Sequence, residues 1–213
     1  MRVLDLFAGT KGWSDPFARA GHDTFTVELD TSFWADAYLD VNDTEAVLDA
    51  LPWRPDVILA SPPCNSFSVA SMGKMWTHDG EPKHPTAVQG RRNVLSTPRL
   101  VAILNPSYWV MENPRGRLRT LELTRGIDRR TVTYCQLGED RMKPTDLFGH
   151  FPPDLYLPKP CKNGDPCHIA APRGSRTGTQ GGVNARTAGM IPSKLSELFR
   201  AALEVEEQKG WPR

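Results

Sequence analysis

Short apolar blocks alternate with polar, helix-patterned ones along this chain, and the alternation predicts its architecture. Residues 2 to 7 (Arg-Val-Leu-Asp-Leu-Phe) read as a strand, followed by the glycine turn Ala8 to Gly12 and a helix from about Ser14 to Ala20 closed by Gly21. A second strand spans Thr24 to Val27 and runs into Glu28-Leu29-Asp30. Asp43 to Leu51 is patterned as a helix with Asn42 or Asp43 as its cap. Asp56 to Ala60 is short, branched and apolar throughout, as in a strand covered on both faces. A long polar loop, about Asn65 to Thr86, precedes a helix over 87–104 and another buried strand, Tyr108 to Met111, ending in Glu112-Asn113-Pro114-Arg115-Gly116. Thr131 to Tyr134 reads as a further strand. From Pro152 to Gly182 the chain loses periodicity and reads as a surface insert. Ser193 to Gln208 is amphipathic, with Leu195, Leu198, Phe199, Ala202 and Leu203 on one face and Ser193 as its expected cap.

Strands alternating with helices predict an α/β fold with a doubly wound, mostly parallel sheet. The expected organisation is a catalytic and cofactor-binding domain over 1–150, an insert rich in Pro, Gly and Arg over 151–185, and a helix in 186–213 packing back on the first part. At 213 residues, 39% hydrophobic and 24% charged, the chain supports one substantial core. It shows no leader pattern and no apolar run near eighteen residues, so a cytoplasmic protein is expected. Four unevenly spaced cysteines do not form a disulfide framework; they read as thiols or metal ligands. Net charge is +1, but residues 1–100 carry 9 basic and 13 acidic side chains, so the excess of cations lies in the second half and could face phosphate.

The chemistry concentrates at Ser61-Pro62-Pro63-Cys64-Asn65-Ser66-Phe67-Ser68. Two prolines end the ladder of the preceding strand, since neither donates a backbone N–H, and set Cys64 on stiff backbone at a strand's C-terminal edge. Open α/β sheets collect their ligands at that edge, so Cys64 is a candidate nucleophile rather than a small buried hydrophobe. The turn Ala8-Gly9-Thr10-Lys11-Gly12 lets backbone approach a nucleotide-like ligand, and Glu28, at the end of the next strand, could accept both hydroxyls of a ribose.

Taken in order, Asp5-Leu6-Phe7-Ala8-Gly9, Glu28, Pro62-Pro63-Cys64-Asn65-Ser66-Phe67-Ser68 and Glu112-Asn113-Pro114 resemble motifs I, II, IV and VI of the cytosine-C5 DNA methyltransferases, over roughly residues 1–116. The resemblance implies a class I methyltransferase fold, S-adenosyl-L-methionine as cofactor and cytosine in DNA as substrate, in a small, phage-like member of the restriction-modification kind. It also implies a covalent adduct between Cys64 and carbon 6 of cytosine, with Glu112 as the acid against the base's Watson–Crick edge, its pKa raised by burial. Water near Asn113 or Ser66 would take the proton from carbon 5. Cofactor contacts are expected from Asp5, Phe7, Ala8, Gly9, Thr10 and Gly12, and from Glu28, Leu29, Asp40 and Pro62. The target base must be flipped out or single-stranded. Contacts to nucleic acid are expected from Ser66, Ser68 and Lys74, from Asn113 and Arg115, from Arg141 and Lys143, and from Arg173 and Arg176. The loop carrying Lys74, Met75, Trp76 and His78 is the expected lid.

The chain departs from the family after Glu112. Where a Gln-x-Arg-x-Arg segment is usual it has Tyr134-Cys135-Gln136-Leu137-Gly138, then Arg141 and Lys143-Pro144-Thr145. The insert is only about 30 residues, which implies a short or relaxed target site, or a partner. Cys161, Cys167 and His168 could bind zinc with Cys135 or His150 as a fourth ligand, but the spacing is no standard knuckle and no metal is assigned. Arg173, Arg176 and Arg186 suit phosphate contact better. Lys11 either points to solvent or addresses a carboxylated cofactor. The alternatives are modification of cytosine in RNA or as a free nucleotide, and a catalytically silent binding module.

Overall fold

A computed structural model describes residues 1–68, 71–170 and 189–210. Arg173, Arg176, Arg186 and Trp211 lie outside the described residues. Seven strands form one sheet in the order β3-β2-β1-β4-β5-β7-β6. They are β1 (Arg2–Leu6), β2 (Asp23–Glu28), β3 (Ala37–Tyr38), β4 (Val57–Ala60), β5 (Tyr108–Pro114), β6 (Arg129–Thr133) and β7 (Pro144–His150). The first five pair in parallel, while β7 runs antiparallel to both β5 and β6. The doubly wound, mostly parallel expectation therefore holds, with one reversed strand that the sequence pattern did not predict.

Side chains on successive strand residues go to opposite faces, and both faces are covered. Val3, Val57, Leu59 and Val110 share one core with α1 (Ser14–Arg19) and with Leu195, Phe199 and Leu203 of a C-terminal helix. Leu4, Leu6, Ile58, Ala60 and Met111 share the other with α2 (Thr44–Ala50) and α4 (Pro85–Leu104), the short α3 (Met72–Met75) lying between those two in sequence. Asp43 caps α2 as expected, accepting from Ala46 N.

The C-terminal helix, α5 (Ser193–Gln208), lies against α1. Phe199 meets the Trp13 ring edge-on at 5.4 Å, and Ser196 Oγ donates to the Trp13 carbonyl. Ser193 is the helix's first residue rather than its cap; its hydroxyl donates to Glu197 Oε1 and Pro192 precedes it. Among the described residues no helix is long and apolar enough to cross a membrane.

The expected lid is largely packed. Phe67 and Trp76 stack at 5.4 Å, both buried, and Trp76 Nε1 donates to the Ser66 carbonyl at 2.7 Å. Arg117 ties the segment down from the far side, its guanidinium donating to the carbonyls of Thr77 and His78 while its backbone N–H donates to Phe67 O. Gly90 and Gly116 permit this approach, because a Cβ would come within 2.3 Å of Ser66 Oγ at the first and 2.2 Å of Phe67 O at the second. Trp76 is thus a core residue. Lys74 and His78 remain exposed.

Candidate active site

The C-terminal ends of β1, β2 and β4 border a cleft of about 310 Å³. Its floor is the turn after β1, where Phe7, Gly9 and Lys11 all have left-handed backbone, with φ of 57°, 50° and 58°. Such a conformation is easy only for glycine, so two non-glycine residues there mark a turn held by its surroundings. Two carboxylates do the holding. Glu28 accepts Gly9 N–H on Oε2 at 2.8 Å and the N–H groups of Leu29 and Asp30 on Oε1, at 2.8 and 3.0 Å. Both lone pairs of Oε1 are thus taken, and Oε2 keeps one for a hydroxyl. Asp5, buried below, accepts from Ser14 Oγ at 2.7 Å and Ser14 N at 3.2 Å, joining the turn to α1. Burial pushes the Asp5 carboxyl up to about 7 despite those bonds.

Of the residues expected to contact a cofactor, Phe7, Ala8, Gly9, Thr10, Gly12 and Glu28 line the cleft. Four do not. Asp5 lies beneath the turn and shapes it, Leu29 is exposed beyond the rim, and Asp40 turns back on Asn42, whose backbone and side-chain nitrogens both donate to it. Pro62 faces away, and Pro63 takes its place in the wall. Sequence reasoning missed Trp13, Asp30, Phe33, Ser61, Gly189 and Ile191. Ile191 closes over Gly12, where a Cβ would stand 2.9 Å from the Ile191 Cβ; that close approach is what the glycine is for. Lys11 turns its ammonium over the Trp34 ring at 3.9 Å from the centroid. A larger hollow of about 560 Å³, lined by Arg2, Arg54 and Asp56, sits at the opposite ends of the same strands, away from these groups.

Cys64 stands beside this cleft. Its loop is fixed by Asn113, which is fully buried and donates from Nδ2 to the Pro62 carbonyl at 3.0 Å, and by Trp13 Nε1, which donates to Ser61 Oγ at 2.9 Å. Asn113 therefore braces the Cys64 loop from within, buried rather than on the surface. Burial, followed by the charge of Glu112, pushes the Cys64 thiol up, and the Lys143 ammonium works against both. All three groups therefore share one electrostatic environment.

Glu112 is buried on β5, with Oε1 receiving the Tyr134 hydroxyl at 2.8 Å and the Lys143 ammonium at 3.6 Å. Lys143 also sits 4.4 Å from the Tyr134 ring centroid. The reversed strand brings this about: β7 pairs Leu147 with Glu112 and Asp146 with Asn113, so Lys143, just before β7, comes back to the end of β5. Lys143 is buried against the Glu112 carboxylate. Tyr134 was missed as a site residue; its signal was its place beside the poorly matching Cys135-Gln136 segment.

The other expected nucleic-acid contacts divide. Ser66 is buried with its hydroxyl unpartnered among the described residues. Ser68 pairs with the Ser71 hydroxyl at 2.9 Å, and Arg141 is half-buried on Glu139 at 2.7 Å. Arg115 and Lys74 are exposed.

Residues 1–122 match the family model described as C-5 cytosine-specific DNA methylase. A protein of Frog virus 3 (isolate Goorha), named "Probable DNA (cytosine-5)-methyltransferase", is 30% identical over 78% of this chain and 78% of its own length. The type II methyltransferase M.AplI of Arthrospira platensis is 32% identical over 54% of this chain, which spans only 32% of that relative. Among solved structures, the Entamoeba histolytica methyltransferase EhMeth superposes with a TM-score of 0.53 at 11% identity, covering 76% of this chain and 57% of its own. That likeness is one of fold, the class I methyltransferase fold.

Proposed function

Since this chain belongs to the C-5 cytosine-specific DNA methylases, enzymes that methylate cytosine in DNA, we propose that it does so through a covalent adduct on Cys64 with S-adenosyl-L-methionine in the cleft beside it. The observation that carries the reading is the convergence of a thiol, a buried carboxyl and a buried ammonium at the ends of adjacent strands.

The cleft suits the cofactor in size and in donors. Its volume is that of a small-ligand site, Glu28 Oε2 has a lone pair to accept a ribose hydroxyl, and Trp13 and Phe33 supply apolar wall. When bound, S-adenosyl-L-methionine supplies an electrophilic methyl group.

Carbon 5 of cytosine is a poor nucleophile while the ring is aromatic. The Cys64 thiolate adds to carbon 6, forming the S–C6 bond, and the displaced electron pair reaches carbon 5 and N3. Glu112 gives N3 a proton. Its Oε1 is held by Tyr134 and Lys143, which leaves Oε2 to the base. Lys143 stabilises both the thiolate and the charge that develops on the ring. After methylation the proton on carbon 5 leaves to water, N3 returns its proton to Glu112, and the S–C6 bond breaks. The largely buried setting of Cys64 keeps the resting thiol protonated, and its proton passes to water as the arriving base engages the sulfur.

Reaching both Cys64 and Glu112 requires an unstacked base. The small insert points to a short target sequence. The test is incubation with S-adenosyl-L-methionine and DNA carrying 5-fluorocytosine, which cannot lose its substituent. A covalent protein–DNA complex should form with the wild type and be lost in Cys64→Ala. Trapping on RNA or free nucleotide alone would overturn the DNA reading, and trapping that survives Cys64→Ala would overturn the nucleophile.

A further inference from the structure

Three of the four cysteines converge with a histidine, none of these four side chains taking part in the chemistry described above. Cys135 lies in a turn of 3-10 helix, Tyr134–Leu137, that follows β6; Cys161, Cys167 and His168 come from the segment after Phe151. Their ligand atoms all lie within 4.8 Å of one another. Cys135 Sγ is 3.1 Å from Cys161 Sγ and 3.6 Å from Cys167 Sγ, and His168 Nδ1 is 3.7 and 3.5 Å from the sulfurs of Cys161 and Cys167. A tetrahedron built on zinc–sulfur and zinc–nitrogen bond lengths has edges of about 3.5–3.8 Å, which three of these four distances approach. None approaches a disulfide bond, about 2.05 Å.

We propose that Cys135, Cys161, Cys167 and His168 form a structural zinc site. Three thiolates and an imidazole select a borderline-soft ion over magnesium or calcium. Four protein ligands fill a tetrahedral shell, so no position is left for substrate or water and the site is structural rather than catalytic.

The surrounding backbone hydrogen bonds fix the segments that carry the ligands. Cys161 N–H donates to Thr133 Oγ1 at 3.0 Å, Lys162 N–H to Asp165 Oδ2 at 2.7 Å, and Ile169 N–H to Asp140 O at 2.9 Å. Cys135 is buried while the other three ligands are partly exposed, which gives an ion a way in. His150, the other candidate for fourth ligand, is exposed at the end of β7 and stacks on Tyr108 at 5.4 Å.

The position gives the ion its purpose. Cys135 adjoins Tyr134, whose hydroxyl fixes Glu112, so the zinc cross-links the start of the insert to the turn that sets the acid. A small irregular segment with little core of its own gains from such a link what packing cannot supply.

The test uses the full chain, purified without chelator and analysed for metal. About one zinc per chain is expected, retained in Cys64→Ser, whose thiol is elsewhere, and lost in Cys135→Ser and Cys161→Ser. Should those variants fail to fold, wild type stripped of metal is titrated with cobalt(II); the visible bands of a tetrahedral cobalt–thiolate complex should appear and saturate at one equivalent, and the melting temperature should rise as metal returns. The proposal is overturned if the wild type carries no zinc and the stripped chain gives no such bands. It is equally overturned if peptide mapping finds Cys135 and Cys161 joined as a disulfide in the native protein.

Discussion

Replacing Tyr134 by Phe removes one atom from the site and leaves its packing in place, which makes it the most incisive perturbation of the acid. The hydroxyl donates to Glu112 Oε1 at 2.8 Å from a fully buried ring. Burial, then the Glu112 charge and this bond, hold the phenol well above its usual range, so it remains a donor at every working pH. Lys143 keeps its place over a phenylalanine ring and its 3.6 Å approach to Glu112, so the carboxyl retains one partner. A hydrogen bond to a charged group contributes about 1.5–3 kcal/mol, or roughly 10- to 150-fold in rate if it is fully felt in the transition state. The expected result is adduct formation on 5-fluorocytosine DNA slowed by about 10- to 100-fold, with DNA affinity within about threefold of wild type. Stopped reactions resolved on denaturing gels measure the first, and anisotropy of labelled DNA the second. An unchanged adduct rate in Tyr134→Phe, alongside a collapse in Glu112→Gln, would refute the idea that Tyr134 positions the acid. A parallel loss of DNA affinity would point to disturbed packing instead.

Two further outcomes follow from the same geometry. Alkylation of Cys64 by iodoacetamide in the free enzyme, followed by peptide mass spectrometry, should keep rising with pH beyond the point where a free thiol levels off, because burial and Glu112 raise its pKa; a profile levelling off below that point would contradict the geometry. Phe199→Ala removes a ring buried between Trp13 and Phe151 and should cost about 3–5 kcal/mol in urea unfolding, whereas a loss below about 1 kcal/mol would mean that α5 is not integral to the core.

What was legible in the sequence was local. The strand–turn–helix around Gly9, the stiff Pro-Pro-Cys run and the apolar stripe of α5 each announce themselves within a dozen residues, because period and turn chemistry are short-range signals. The reversed strand was not legible. Pro144 opens it and Gly149 nearly closes it, which reads as a loop, and only pairing with β5 and β6 makes it a strand. That same gap hid the place of Lys143 beside Glu112. Trp76 looked like a free aromatic in a polar loop because nothing nearby in sequence reveals its stacking on Phe67. Cys161, Cys167 and His168 were legible as a possible ligand set, but the choice between Cys135 and His150 was not, because Cys135 reaches its companions only after the chain folds back across 26 residues to Cys161.

Gly189 and Ile191 wall the same cleft that the turn after β1 floors, and α5 then clamps onto α1. Assembly therefore has an order in time. During synthesis the sheet and its glycine turn can leave the ribosome well before the segment that closes over Gly12, so a nascent chain holds every strand while its cofactor cleft still lacks a wall. That wall is in place only once residues 189–191 have emerged and α5 has docked on α1.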